Sequence, residues 1–431
     1  MATIKPFKAL RYNKEKVDSI AEVLSPPYDV ITPEKREKLY EQSVHNITRV
    51  DFPIPPEQGD VYELSAKILD EWEKDQLLVT ESQPAIYITE EAYVDFEGVR
   101  RVRRGFIARM KVEDYSSGTI FPHERTFPKH KGDRMRLLKA TKTQFNPVFG
   151  FYSDSDSSVS TILKNVVGRS APDWTFDFED GATRSIWTMT DQKEVAQVVE
   201  AMSPRKVFIA DGHHRYETSL EYSKLMDKEN GTTPAQDLPY HYTLMYFVAM
   251  EDEGLTILPT HRLLRDIKDF DKDNLIKFLE KGFDVKEMER QAAIDRIYKA
   301  PGSQMMFVQV GEKCYAIEAK AEAIAANNAL QELHETVRKL NVSICEKMII
   351  RPLIGEEADL LSHVAYVVAP EDVSNKIKNN ECQFAVYLAP IHIKDVEPVA
   401  MATQVMPQKS TFFFPKLITG LVMYRHPNNN S

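Results

Sequence analysis

Hydrophobic strands that run directly into amphipathic helices predict a mixed α/β (α+β) protein for this 431-residue chain, with a mixed sheet in its first part and a second α/β region behind it. Three stretches carry that prediction. From Arg184 the order is RSIWTMT, a helix opened by Asp191, KVFIA, and a further helix that ends in EYSKLMDKE. Residues 85–113 alternate apolar and polar side chains about Glu97-Gly98, as a hairpin of two half-buried strands does. Beyond Tyr240, YTLMYFVAM is a strongly apolar strand.

The remaining elements follow in chain order. Thr32 before Pro33 signals an N-cap and first turn, so PEKREKLYEQ is a short charged helix. HNITRVDF after it is strand-like. Val61, Leu64, Ile68, Leu69 and Trp72 share one helical face. Basic residues crowd FPHERTFPKHKGDRMRLLKATK, a loop expected to precede a helix starting near Asp133. LTILPTHRLL holds a loop-to-helix boundary at Thr260. Strands and helices then fill 270–400, with a hairpin at Gly311 and a long helix rich in Ala, Leu and Lys from about 321. The tail HPNNNS is polar and expected to fray. The length exceeds what one core usually organises, so two domains, or one core with large insertions, are expected, with the division placed at 1–255 and 256–431.

Composition narrows the function classes. Hydrophobic residues are 42% and charged residues 28%, and no run approaches the roughly 18 apolar residues of a membrane helix. MATIKPFKALRY lacks a secretory or transit pattern, so a soluble cytoplasmic protein with no membrane partner is expected. Net charge is −10, which disfavours the broad basic surface of a nucleic-acid binder, though it leaves room for a local patch such as RRVRR. Small anionic ligands fit better. Cys314, Cys345 and Cys382 form no CxxC pair and are odd in number, as expected of buried structural thiols in a reducing compartment. Neither a Walker A loop, HExxH, GxSxG nor a strand-following GxGxxG occurs.

The sharpest chemical feature is VFIADGHHRYETSL, where a strand meets Asp211-Gly212 and a helix begins near His213. First-turn amides of a helix lack internal partners and carry the positive end of its dipole, so they receive phosphate oxygens. Gly212 allows the tight turn. His213, His214 and Arg215 add donors, and Asp211 suits a divalent metal or a hydroxyl. The bland alternative is a capping Asp with surface histidines. A second cluster holds His123, Glu124, Lys131 and Arg134, with Glu124 a candidate general base and Lys131 and Arg134 candidate phosphate clamps; its alternative is a solvated charged turn. A third is MPQKSTFFFPK, where Lys409, Ser410 and Thr411 precede an apolar strand and Lys416 follows Pro415. SPPYDVI holds Tyr28 and Asp29 on an extended, rigid loop, and PTHR offers His261 and Arg262 as a site pair or an ordinary surface contact.

Taken together, PFKALRY, SPPYDVI, HERT with KGDR, ADGHHRYE, LPTHR and MPQKSTFFFPK resemble the DUF1015 family over nearly the whole chain. ADGHHRYE is in turn similar to the phosphate-binding motif of the ParB/sulfiredoxin-like superfamily. Within that superfamily the free serine kinases carry an Asp-Gly-His-type motif and phosphorylate L-serine with a glutamate as base. The resemblance therefore implies that Asp211, His213, His214 and Arg215 hold a phosphoryl donor (ATP, ADP or pyrophosphate) with Mg²⁺. It implies Glu124 as the base, with Asp29 or Glu217 as substitutes, and Tyr28, Asp29, His261 and Arg262 as substrate contacts. Gly212, His123, Lys131, Arg134, Lys409, Ser410 and Thr411 are then phosphate contacts. The competing expectations are a phosphoserine phosphatase and a non-enzymatic, ParB-like nucleotide-binding protein; a homodimer is admissible.

Overall fold

A computed structural model describes residues 1–96, 98–124 and 128–427, with 128–130 as backbone only. Two compact units result, each with its own sheet. The first takes residues 1–122, 128–255 and 415–427, and the second takes 123–124 and 256–414. The C-terminal region assigned from the sequence, 256–431, is thus divided: Tyr424 and Arg425 pair with Gln144 and Thr143, and Thr419 bridges Ser25, so this segment closes onto the first unit.

The strands of the first sheet are β1 (Ile4–Lys5), β2 (Ile86–Val94), β3 (Arg100–Lys111), β4 (Ile120–Phe121), β5 (Val148–Tyr152), β6 (Trp174–Asp177), β7 (Thr183–Met189), β8 (Val207–Asp211) and β9 (Tyr242–Ala249). Their order is β4-β8-β5-β9-β3-β2-β7-β6, with β1 paired to β3. β8 runs parallel to β4 and β9 parallel to β5, while the other pairs are antiparallel, so the sheet is mixed as expected. All eight residues of β9 are buried, which is why the sequence there shows no alternation. Phe247 stacks on Phe106 of the neighbouring strand at 5.0 Å.

The β2–β3 hairpin also settles the basic patch. Arg101 bonds Asp95 at 2.9 Å, buried Arg103 bonds Glu91 at 3.1 Å, and Arg104 bonds its cross-strand partner Glu90 at 2.7 Å. Acidic residues on the same hairpin neutralise these three arginines.

The helices that matter for the site are α1 (Pro33–Gln42), α2 (Val61–Lys74), α3 (Pro128–Thr141), α4 (Ser158–Arg169), α5 (Gln192–Met202) and α6 (His213–Asn230). Thr32 caps α1 by accepting from Lys35 N, and Asp191 caps α5 by accepting from Lys193 and Glu194 N. In α2 the buried positions are Tyr62, Ser65, Leu69 and Trp72, a face rotated slightly from the predicted one. α3 begins at Pro128, ahead of the predicted start at Asp133.

HNITRVDF is helical at Thr48–Asp51 and not a strand, because buried Asn46 accepts from Thr48 N at 3.0 Å and from its hydroxyl at 2.7 Å, and so starts a helical turn. SPPYDVI closes into a 3₁₀ turn at Tyr28–Val30 instead of staying extended.

In the second unit β10 (Thr256–Leu258) pairs with β17 (Phe412–Phe414). β11 (His261–Leu264), β12 (Phe283–Met288), β13 (Met306–Val310), β14 (Lys313–Ala319), β15 (Val364–Val367) and β16 (Phe384–Leu388) form an antiparallel sheet ordered β12-β14-β13-β16-β11-β15. The loop-to-helix boundary predicted at PTHRLL is therefore a strand. The long helix predicted from about 321 is broken into Ala321–Ala326, Asn328–Gln331, Glu335–Arg338 and Asn341–Cys345. Extended Asn327 and His334 break it, each capping the next piece with its side chain.

Gly105 shows how closely β3 and β9 meet: a Cβ there would run into the Tyr246 ring and come within 2.5 Å of Phe247 O. Gly105→Ala is expected to cost about 1–3 kcal/mol in urea unfolding. Gly168→Ala, on α4 with nothing within 4 Å, is expected to be neutral or to add up to about 1 kcal/mol. Equal midpoints for the two would refute the close-approach account.

Candidate functional site

Strand β8 ends on Asp211, where its pairing with β5 is irregular: Ile209 faces Gly150, and Asp211 faces Phe149. Such an irregularity re-aims the side chain that follows it. The chain then passes through Gly212 at φ +87°, ψ +27°, a left-handed conformation that glycine takes without strain, into the 18-residue α6. Gly212 has no side chain with which to cap the first turn. Those amides, with the positive end of the helix, face the turn.

Charge collects around this turn through a few specific bonds. Arg215 folds back over Gly212, where an added Cβ would sit 2.9 Å from its guanidinium carbon. Its Nη1 donates to Asn146 Oδ1 and to Pro147 O, and its Nη2 lies 3.6 Å from Asp211 Oδ2. Lys416 Nζ lies 3.3 Å from that same oxygen. Buried Arg184, held by Asp180 at 2.8 Å, donates to Lys416 O at 3.2 Å, and Asn146 Nδ2 donates to Thr419 Oγ1 at 2.9 Å. The C-terminal segment is thereby pinned to the turn. His213 is buried and His214 half-buried. Tyr216 anchors the first turn of α6, exchanging hydrogen bonds with Glu113 N and O at 2.9 and 2.8 Å and stacking on Tyr115.

Arg215 also lines a cavity of about 480 Å³, counted with the part open to solvent, which is bounded by Tyr28, Asp51, Arg134, Asn146 and Thr218 among others. Arg134 Nη1 donates to both Asp51 O and Asp51 Oδ1 at 3.0 Å, its Nε donates to Asp133 at 2.8 Å, and its guanidinium lies 4.0 Å over the Tyr28 ring. Burial raises the Asp51 carboxyl above the usual range against the opposing pull of Arg134 and Arg215. Burial likewise pushes the Tyr28 phenol up to about 12.

The structure therefore gathers Tyr28, Arg134 and Arg215 at one cavity, and Asp211, Gly212 and Arg215 at one turn. Lys131 does something else: its Nζ bonds Glu217 at 3.1 Å and Glu221 at 2.9 Å on α6. Asp29 is exposed beside Tyr28. Both cations, Arg215 and Lys416, approach Asp211, the residue expected to hold a metal, at the same oxygen, Oδ2. Among the described residues no three His, Cys, Asp or Glu side chains come together as a metal site.

The other candidates belong to the second unit. His123 Nε2 and Thr411 Oγ1 are 2.9 Å apart, and Met406 N donates to His123 O. Glu124 stands next to His123 and is half-buried. Arg262, predicted as a site or surface residue, is buried and donates to Gln408 O at 3.4 Å and Lys409 O at 3.1 Å. Burial holds its guanidinium below the usual range. Exposed Lys409 sits at φ +54°, and Ser410 Oγ closes the turn on Pro407 O at 2.5 Å. His261 is wholly buried on β11, where its Nδ1 accepts from Leu388 N at 3.3 Å, so it is a core histidine and not a substrate contact on the surface. All three cysteines are free and buried, and burial pushes Cys314, Cys345 and Cys382 up to about 11, 12 and 11.

Sequence reasoning left Asp51, Asn146 and Thr218 aside. None stands in a motif, and only folding brings them to the cavity. Lys416 had a signal, as the last residue of MPQKSTFFFPK, but stood behind Lys409.

The family model described as "Protein of unknown function (DUF1015)" matches residues 4–343. No curated protein matches the chain. Among solved structures, a free serine kinase in complex with AMP is 12% identical, with a TM-score of 0.33 over 68% of this chain and 83% of its own. A conserved hypothetical protein from Pyrococcus furiosus is 15% identical, with a TM-score of 0.33 over 70% and 91%. SbnI with a C-terminal truncation, from Staphylococcus aureus, is 9% identical, with a TM-score of 0.33 over 69% and 81%.

Burial, with Arg262 and Arg290 nearby, lowers His261 from 6.5 to about 3. The folded state then binds fewer protons than the unfolded one between those values, so this group's contribution is complete above about 6.5 and is lost as pH falls toward 3. Urea midpoints followed over that window should fall more steeply for the native protein than for His261→Gln. Parallel curves would refute neutral burial.

Proposed function

From a chain that belongs to the DUF1015 family, and from the charge assembled at its Gly212 turn, we propose a phosphotransferase that moves the terminal phosphoryl group of ATP, ADP or pyrophosphate to the hydroxyl of free L-serine. One observation carries this reading: a strand-to-helix turn at φ +87° with Arg215 and Lys416 drawn to it by Asp211. Transfer of a phosphoryl group asks a protein mainly for charge neutralisation and in-line positioning of the acceptor. First-turn amides of α6, Arg215 and Lys416 supply the neutralisation.

In the transfer, the serine oxygen bonds the terminal phosphorus while the bridging P–O bond of the donor breaks and its electron pair leaves on the departing phosphate. The hydroxyl proton passes to a carboxylate. The resemblance assigns Glu124 to that task, and Asp29, exposed beside Tyr28, is the alternative within the first unit. Glu217 is the weaker choice, because it already bonds Lys131 at 3.1 Å and accepts from Tyr115 OH at 3.4 Å. Magnesium commonly enters such reactions on the donor's own phosphates with few protein ligands, so it does not depend on Asp211.

Incubation with L-serine, Mg²⁺ and each donor in turn should yield O-phosphoserine with at least one of them, scored by mass spectrometry. Absence of product with all three removes the reading, and donor binding without turnover would favour a nucleotide-binding protein. Lys416→Ala and Arg215→Lys should each lower kcat/KM by about 10²-fold with little change in melting temperature. Asp29→Asn and Glu124→Gln separate the two bases: the variant that removes the base loses kcat, and the other keeps it.

A further inference from the structure

The cavity beside the turn carries charges of both signs. Asp51 is only 5% exposed, and Arg134 holds it at 3.0 Å in the wall, with Arg215 also lining the space. Candidate occupants are separated by that pattern. A polyanion entering the cavity meets the Asp51 carboxylate, and a neutral nucleoside desolvates three charged groups without offering a charge in return. A small zwitterion answers both, with an ammonium toward Asp51 and a carboxylate toward the guanidinium groups. Leu137 and Phe145 form apolar wall, which favours a short side chain without a further charge.

A second observation points independently to a ligand. Thr218 is 2% exposed and lines the cavity, and its Oγ1 has no hydrogen-bond partner among the described residues. Hydroxyls in a helix often bond back to the carbonyl four residues earlier, as the adjacent Ser219 does to Arg215 O at 3.0 Å. Thr218 does not. A buried hydroxyl without a partner carries a free-energy cost that a polar ligand group removes.

We propose that this cavity is the receptor for a small α-amino acid, with Asp51, Arg134, Arg215 and Thr218 as its polar contacts. Its role as the acceptor site rests on the phosphotransferase reading, whereas binding of the amino acid does not need a donor at all.

The test is calorimetric titration of the full chain with L-serine alone. Saturable binding is expected, at least tenfold weaker for glycolate, which lacks the ammonium, and for ethanolamine, which lacks the carboxylate. Thr218→Val keeps the side-chain shape and should raise Kd on the order of tenfold; Asp51→Asn should abolish binding. Because Asp51→Asn strands Arg134 and risks unfolding, Thr218→Val carries the decision. No binding of L-serine or L-alanine by the native protein, or an unchanged Kd in Thr218→Val, overturns the proposal. O-phosphoserine formation together with an unchanged Kd sinks the cavity assignment alone. Binding that follows the expected pattern while no donor gives O-phosphoserine sinks the kinase reading and leaves the receptor standing.

Discussion

Asp211 Oδ2 stands between Lys416 at 3.3 Å and Arg215 at 3.6 Å, and that shared oxygen decides how much positive charge can collect at the start of α6. Two cations beside the positive end of a helix repel one another unless an anion stands between them. With the carboxylate in place, the turn retains a surplus of positive charge and a fixed geometry.

A common device holds the two lysines of the MPQKSTFFFPK motif. Each follows or precedes a proline-bearing turn, and each has its backbone carbonyl bonded by a buried arginine: Arg262 to Lys409 O at 3.1 Å in the second unit, Arg184 to Lys416 O at 3.2 Å in the first. A guanidinium suits this task because its planar fork can reach several carbonyls at once. Arg262 also bonds Thr260 O and Gln408 O. Basic residues that look chemical in the sequence thus divide into those that are held and those that do the holding.

Much of the fold was legible. The hairpin about Gly98, the alternation from Arg184 to α6, the buried strand β9 and the caps at Thr32 and Asp191 depend on local periodicity and local hydrogen bonding, which a sequence states directly. The errors have local causes of another kind. Asn46, Asn327 and His334 redirect the backbone with their own side chains, and a hydrophobic pattern does not register that. At the site, ADGHHR announced the turn because its chemistry lies in consecutive residues. His261 and Arg262 misled, since a polar pair in a strand core looks the same in sequence as a polar pair at a surface.

By itself, then, the sequence determined the β2–β3 hairpin, the strand–helix alternation from Arg184, the glycine-bearing turn and the family, because these depend on neighbours along the chain. Only the tertiary structure decided that the arginines of RRVRR at 101, 103 and 104 are neutralised by Asp95, Glu91 and Glu90, that Lys131 serves α6, and that Asp51, Asn146, Thr218 and Lys416 belong with Arg215. Polar pairing acts through space: Arg215 hydrogen-bonds Asn146 across 69 positions, and Arg134 pairs with Asp51 across 83. Nothing in the local pattern at either end encodes the partner, so the balance of charge at this site exists only once the chain has folded.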